Sequence, residues 1–340
     1  MIDLRTDRSD ILSPEMRVVM GKANDGDFDV RRIEEVTANL LGKDAGLFVP
    51  SSTMANEVAI NVHTKPGDGV IADRFSHISE LEGGSPALVS GATLHRIDAE
   101  RGIISEEDVL AEIRPDDPLS SRVRLVVAEN AHNLRGGTIW PLGKLMAMSD
   151  ISERLGLAVH LDGSRLLNAV VGSGICAREF AYCADSVSMC FYKGLGVPFG
   201  AALAGSKEFI DEARRVLRQL GGHMEGAGIF AAGALYALDH NVERLAEDNG
   251  NARALAERLC EERSLDVDLS LVETNIVSFE VKRVGTTPCS FVESLAEEGV
   301  RMNYFRDRVR AVTHMGITRR EVLHAADAVH RMLVDIRMAA

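Results

Sequence analysis

Between Met16 and Leu217 the spacing of apolar positions changes repeatedly along the chain. Leu142, Leu145, Met146, Ile151 and Leu155 recur at helical intervals, Gly156 punctuates them, and the compact run Leu157-Ala158-Val159-His160-Leu161 follows. Leu125-Val126-Val127-Ala128 and Ser186-Val187-Ser188-Met189-Cys190-Phe191 are runs of the same kind. Short unbroken apolar runs with polar or turn residues at both ends read as strands of a parallel sheet, buried on both faces. Their alternation with helical segments predicts βα units, right-handed crossovers and an α/β fold with a mostly parallel, helix-covered sheet.

After about Leu238 the pattern changes. Val242 to Glu262 reads as one long amphipathic helix, and Ile276 to Val281 alternates with Val277, Phe279 and Val281 on one face, as in a half-buried antiparallel strand. A short strand is expected around Arg310-Ala311-Val312-Thr313. The apolar stripe Val322, Ala326, Val329, Leu333 and Ile336 predicts a closing helix. We therefore expect an arm over residues 1–15, a large domain over 16–238 and a smaller C-terminal α+β domain over 239–340.

The chain has 340 residues with 38 Lys+Arg against 51 Asp+Glu, a net charge of −13. That balance speaks against a nucleic-acid surface, which needs clustered cations. No apolar run reaches the roughly 18 residues of a membrane span, Gly226 to Leu238 being too short and rich in Gly and Ala. The opening Met1-Ile2-Asp3-Leu4-Arg5 lacks the basic start and apolar stretch of a secretory signal. Five cysteines, odd in number and without a CxxC pair, fit reduced thiols in a cytoplasmic protein. Without HExxH or a Cys/His cluster, no metal site is expected.

In open α/β sheets ligands bind beyond the carboxyl ends of the strands, so the polar residues after the buried runs carry the chemical information. They are Glu129-Asn130-Ala131-His132-Asn133, Asp162-Gly163-Ser164-Arg165 and Tyr192-Lys193-Gly194. A histidine, an aspartate with an arginine, and a lysine on one rim are what pyridoxal phosphate requires. The lysine forms the imine, and the carboxylate keeps the pyridine nitrogen protonated so that the ring takes up electrons. The arginine supplies fixed positive charge. Phe48-Val49-Pro50-Ser51-Ser52-Thr53 runs into a helical segment whose N-terminus suits a phosphate. Each residue alone has an ordinary reading: Asp162 as a helix cap, Lys193 as a loop lysine, Ser51 to Thr53 as an N-cap, His77 as a structural histidine, Arg310 as an ion-pair partner. Their order after successive strands is what points to the cofactor.

These segments resemble the threonine aldolase family, within the beta-eliminating lyase group of fold-type I pyridoxal phosphate enzymes. The resemblance runs from Asp3-Leu4-Arg5-Thr6-Asp7 through Gly42 to Pro50, the three rim segments and Gly194 to Gly200, and ends at Val309-Arg310-Ala311-Val312-Thr313-His314. It implies Lys193 as the Schiff-base lysine, Asp162 as partner of the pyridine nitrogen and His77 stacked on the ring. Ser51, Ser52 and Thr53 fall at the phosphate. Arg165 and Arg310 match the grip on the substrate carboxylate, helped by the Thr6 hydroxyl, and His132 matches the histidine near the substrate's β-hydroxyl. The implied reaction cleaves a β-hydroxy-α-amino acid such as L-threonine or L-allo-threonine to glycine and an aldehyde, in a homotetramer built from dimers. His132, or a water it holds, is the candidate base.

Four departures from the family pattern stand out. Ser52 replaces a glycine in the phosphate loop, Tyr192 replaces the serine before the lysine, and Glu225 replaces an arginine, although Arg218 keeps one basic position near the phosphate. After Asp25-Gly26-Asp27 the expected tyrosine-glycine and Asp-Pro pairs give way to Phe28-Asp29-Val30-Arg31-Arg32. They point to an altered substrate or reaction. The alternatives are a pyridoxal phosphate lyase or transferase that eliminates or exchanges a β-substituent and, more remotely, a non-catalytic binding protein on the same fold.

Overall fold

A computed structural model describes residues 1–8, 12–23, 26–114, 118–282 and 285–339, with the side chains of all of these except 26, 27 and 336–339. Its strands are β1 (Ile2–Asp3), β2 (Ala45–Val49), β3 (Gly69–Asp73), β4 (Thr93–Ile97), β5 (Val123–Glu129) and β6 (Ala158–Gly163). They continue with β7 (Ser186–Cys190), β8 (Ala201–Gly205), β9 (Leu265–Val267) and β10 (Ile276–Val281). The last are β11 (Val300–Arg301), β12 (Asn303–Phe305) and β13 (Arg308–Val312).

Seven strands form the main sheet in the order β2-β8-β7-β6-β5-β3-β4, and every pairing is parallel except those of β8. The mostly parallel α/β architecture expected from the apolar runs is therefore present, and β6, β5 and β7 coincide with those runs. Strands β3, β6 and β7 are buried along almost their whole length because helices cover both faces. The helix Ser52–His63 packs on β6 and β7, with Ser51 as its N-cap, the hydroxyl accepting from the Met54 N–H at 3.1 Å. On the other face Trp140, Phe180, Leu145 and Leu161 fill the largest core.

A four-stranded antiparallel sheet, β12-β13-β10-β9, is built after residue 260. Val277 and Phe279 of β10 point into its core, as the alternation predicts, together with Leu255, Val329 and Leu333 from the helices Leu245–Leu259 and Arg319–Ala339. Ile336 lies outside the described side chains. The arm joins this part of the molecule: β1 pairs in parallel with β11, Ile2 opposite Val300, and Leu4 is fully buried there. Of the segment around Asp25-Gly26-Asp27, Asp25 lies outside the described residues, and Gly26–Leu41 is a helix.

Candidate active site

Strands β3, β5, β6 and β7 run in parallel and end side by side. Asp73, Glu129 and Asp162 sit at the ends of the first three, Glu129 in register with Asp162, and Lys193 follows the fourth. Lys193 is 8% exposed, and its amine has no hydrogen-bond partner among the described residues. Burial lowers its pKa, and the Asp162 and Asp7 carboxylates only partly restore the ammonium. Asp162, 1% exposed, accepts hydrogen bonds from Asn56 Nδ2 at 2.8 Å and from the Ser164 N–H at 3.0 Å. Burial opposes its charge, but His77, Lys193 and these donors outweigh that, and its pKa is lowered. Lys193 and Asp162 are thus near enough for each to bias the other's ionisation.

His77 opens a short helix beside them. Its N–H donates to Glu129 Oε2 at 2.7 Å, and its Nδ1 lies 2.6 Å from Glu82 Oε1. Burial lowers its pKa against the pull of Asp162 and Glu129. One donor atom from each of His77, Glu82 and Asp162 falls within 4.8 Å of the others. Behind Glu82 lies Glu57, hydrogen-bonded to Ser85 Oγ, and burial pushes both glutamates up to about 8, each carboxyl adding to or sharing with the other.

The two arginines are placed differently. Arg165 is buried and grips Asp7 of the arm with two parallel hydrogen bonds, Nε to Oδ2 at 2.7 Å and Nη2 to Oδ1 at 2.8 Å. Asn275 Nδ2 donates to the same carboxylate at 3.0 Å. Burial opposes the Asp7 charge, yet Arg165 holds this carboxyl well below the usual range. Arg310, on β13, bonds Asn133 Oδ1 through Nη2 and the Arg5 carbonyl through Nη1 at 3.4 Å, and its Nε has no partner. Burial and then the Arg165 charge push its guanidinium down to about 9. A guanidinium stays protonated regardless, so Arg310 is a buried cation that feels Asp7 and Glu129 at a distance but has no carboxylate in ion-pair contact among the described residues. Arg310 also borders a cavity of about 340 Å³ with Phe75, Arg135, Phe305, Arg306 and Arg308. The other three of these arginines pair with carboxylates: Arg135 with Asp73 and Asp98, Arg306 with Glu80, Arg308 with Glu280.

His132 is 1% exposed, with Nε2 3.1 Å from Asp73 Oδ2 and 4.0 Å from Glu129 Oε2. Burial would discharge the ring, but Glu129 and Asp73 raise its pKa. Gly102, at φ +78°, lies against the ring, where a Cβ would come 2.3 Å from Cδ2. Ser52 donates its N–H to Tyr192 Oη at 3.2 Å, and the two hydroxyls are 3.2 Å apart. Two of the departures from the family pattern are therefore in contact, at the N-terminus of the helix Ser52–His63. Burial pushes the Tyr192 phenol up to about 12, so it remains a donor. Thr53 follows in the first turn, half-buried.

Two expected residues, and the departure Glu225, stand apart in the single chain. Thr6 is exposed and its hydroxyl accepts from the Arg8 N–H at 3.2 Å. Arg218 is exposed in the last turn of the helix Lys207–Gln219, and Glu225 is exposed in the following turn. None makes a hydrogen bond or ion pair with Lys193, Asp162 or Ser52 among the described residues. Asp7, Asn56, Asp73, Glu82 and Asn133 are site residues that the sequence reading did not assign. Asp7 and Asn133 lie inside the quoted motifs, whereas Glu82 and Asn56 had no signal beyond their types.

A buried lysine and a buried aspartate at the ends of neighbouring parallel strands, on a sheet with one antiparallel member, are the arrangement expected of a fold-type I pyridoxal phosphate enzyme. The sequence matches the family described as Beta-eliminating lyase over residues 3–282. It is 33% identical to low-specificity L-threonine aldolase 1 of Arabidopsis thaliana, over 99% of this chain and 97% of that protein. Against the low specificity L-threonine aldolase of Escherichia coli K12 it is 34% identical, over 96% and 97% of the two chains. An uncharacterised Caenorhabditis elegans protein is 39% identical over 75% of this chain and 63% of its own length. Among solved structures, the Leishmania major threonine aldolase matches with a TM-score of 0.82 at 19% identity, over 98% of this chain and all of that one. A putative L-allo-threonine aldolase of Listeria monocytogenes gives 0.77 at 22%, over 98% and 96%. The chain belongs to the beta-eliminating lyase family, in its threonine aldolase group.

Proposed function

We propose that this protein is a pyridoxal 5'-phosphate-dependent aldehyde-lyase that cleaves the Cα–Cβ bond of a β-hydroxy-α-amino acid, of the L-threonine or L-allo-threonine kind, to glycine and an aldehyde. The observation that carries the reading is Lys193, a buried residue whose amine has no hydrogen-bond partner among the described residues, near the anionic Asp162. A structural lysine would bury its amine only with an acceptor, so this one fits a covalent attachment point. The residues present fit the cofactor in three further ways. Asp162 is an acceptor held charged where a protonated ring nitrogen needs one, His77 stands next to it, and Ser51, Ser52, Thr53 and the Tyr192 hydroxyl surround a helix N-terminus suited to the phosphate. When bound, the cofactor supplies an electron sink for the bond being broken.

The chain's own residues do the rest. Arg310, lacking a carboxylate partner, receives the substrate carboxylate, and Asn133 fixes the guanidinium's plane. Arg165, with two of its nitrogens on Asp7, contributes by field and by tying the arm down; its Nη1 reaches Asn133 at 3.3 Å. His132 takes the β-hydroxyl proton: its Nε2 lies 3.1 Å from Asp73 Oδ2, and neither ring nitrogen has a hydrogen-bond partner among the described residues. Thr6 and Arg218 are exposed here and complete the site of a neighbouring copy in a homotetramer of dimers. Five free thiols fit the reducing cytoplasm. Around this site the chain is organised as an arm over 1–15, a large domain over 16–238 and a smaller domain over 239–340, with the arm docked on the last.

Product analysis on cofactor-loaded protein with a set of β-hydroxy and β-substituted amino acids tests the reaction. Glycine plus an aldehyde is expected, while a keto acid with ammonia would move the assignment to β-elimination. Lys193→Ala is expected to lose the visible band of the bound cofactor; a retained band would remove Lys193 from its role.

A further inference from the structure

We propose that His63, Ser186, His160 and Asn56 form a polarised hydrogen-bond relay that positions Asp162 and holds it anionic, a proposal that rests on reading Asp162 as the partner of the cofactor's ring nitrogen. The relay follows from strand periodicity. His160 and Asp162 are two residues apart in β6 and share one face, as do Ser186 and Ser188 in β7, with His160 in register with Ser186 and Asp162 with Ser188. The helix Ser52–His63 packs on these strands, and a separation of seven residues puts Asn56 and His63 on one side of it. The links are short: His63 Nε2 to Ser186 Oγ at 2.8 Å, Ser186 Oγ to His160 Nδ1 at 2.8 Å, His160 Nε2 to Asn56 Oδ1 at 3.1 Å, and Asn56 Nδ2 to Asp162 Oδ2 at 2.8 Å.

The direction of every link is fixed by elimination. Asp162 is an acceptor, so Asn56 presents its amide nitrogen to it and turns its carbonyl toward His160 and Ser188, whose hydroxyl also donates at 3.1 Å. A carbonyl only accepts, so His160 carries its proton on Nε2. Burial pushes the His160 imidazole down to about 3 and that of His63 down to about 4, so both rings are neutral. Neutral His160 then has a bare Nδ1 that accepts from Ser186 Oγ–H, and the serine oxygen accepts from His63 Nε2–H. All four links donate toward Asp162.

The outer end, His63, stacks on Phe209 at 4.7 Å and borders a surface cleft with Lys65, Asp68, Arg122 and Arg124. Aligned dipoles in a dry environment reinforce one another. A cationic histidine at position 160 would neutralise Asp162 itself. A neutral chain steadies the carboxylate and leaves its whole charge for the ring nitrogen, so His160, Ser186 and His63 act through Asn56 as positioning residues.

The test uses the full chain. Nitrogen-15 spectra of histidine-labelled protein are expected to show His160 and His63 as Nε2–H tautomers, uncharged at pH 7; an Nδ1–H tautomer or a charged ring at His160 overturns the relay. Affinity is then read for pyridoxal phosphate and for its analogue with CH in place of the ring nitrogen. Ser186→Ala and His160→Leu are expected to weaken binding of the former roughly tenfold more than of the latter, by the size of a hydrogen bond to a charged group. Ser186→Thr and His160→Gln, which keep a donor and an acceptor, are expected to restore it. Equal losses for both ligands overturn the relay alone, whereas failure of the unaltered chain to bind pyridoxal phosphate overturns the cofactor reading and this proposal with it.

Discussion

His160 and His132 are equally sealed from water, 0% and 1% exposed, and their ionisation goes opposite ways. His160, between the sheet and a helix, meets a hydroxyl and an amide, and burial drives it down to about 3. His132, at the strand ends, meets Asp73 and Glu129, and its pKa is raised despite equal burial. Burial discharges a histidine unless carboxylates supply the missing solvation. The rim of the sheet is thus a region of paired charges, and the layer behind it is polar but neutral. Asp162 is where the two meet.

Removing that meeting point has the largest expected effect. Asp162→Asn keeps the shape but takes the anion from both sides, and turnover is expected to fall about 10³-fold, the scale of losing a preorganised charge in a dry site. Steady-state kinetics on cofactor-saturated variant checks this, and a loss under tenfold would displace Asp162 from its assigned role. Asp73→Asn sharpens the contrast from the other end by making the surroundings of His132 resemble those of His160. With one carboxylate gone, burial gains ground and the His132 pKa falls. The base form is populated above the pKa, so the acid limb of kcat/KM moves to lower pH, while a weaker base cuts turnover about 10²-fold. An unmoved limb would take proton transfer away from His132.

The smallest effect concerns the glutamates behind His77. Glu57 and Glu82 are pushed up to about 8 by burial, against an ordinary value of 4.5. A carboxyl with a raised folded-state pKa contributes stability that is complete below 4.5 and is lost as pH rises through about 8. Glu57→Gln removes that dependence. Its melting temperature relative to the unaltered protein is expected to rise between pH 5 and pH 9, by about 2 °C or more. A gap independent of pH would mean that the pair is not buried as a proton-sharing couple.

What could be read from the sequence, and what could not, divides along the same line. The central strands β5, β6 and β7 were legible because doubly buried strands form unbroken apolar runs, and Asp162 and Lys193 because ligands gather where such runs stop. Arg310 and His77 came through resemblance, since a lone arginine or histidine has no period. The relay was invisible: within Leu157–Leu161, His160 looks like one polar interruption in a buried strand, and its partners depend on the register of β6 against β7. The pairing of Asp7 with Arg165 spans 158 positions and has no local signature. Ser52 and Tyr192 read as two separate departures, and only their 3.2 Å contact shows them to be one.

The arm carries a consequence for how this molecule is made. Residues 2–3 pair with 300–301, and Asp7 is clasped between Arg165 and Asn275. A growing polypeptide must keep residues 2–3 unpaired until the strand at 300 leaves the ribosome. Arg165 can meet Asp7 as soon as it is made, but the other anchors of the arm, Asn275 and the strand at 300, follow much later, so the clasp around Asp7 is complete only once those segments have been synthesised.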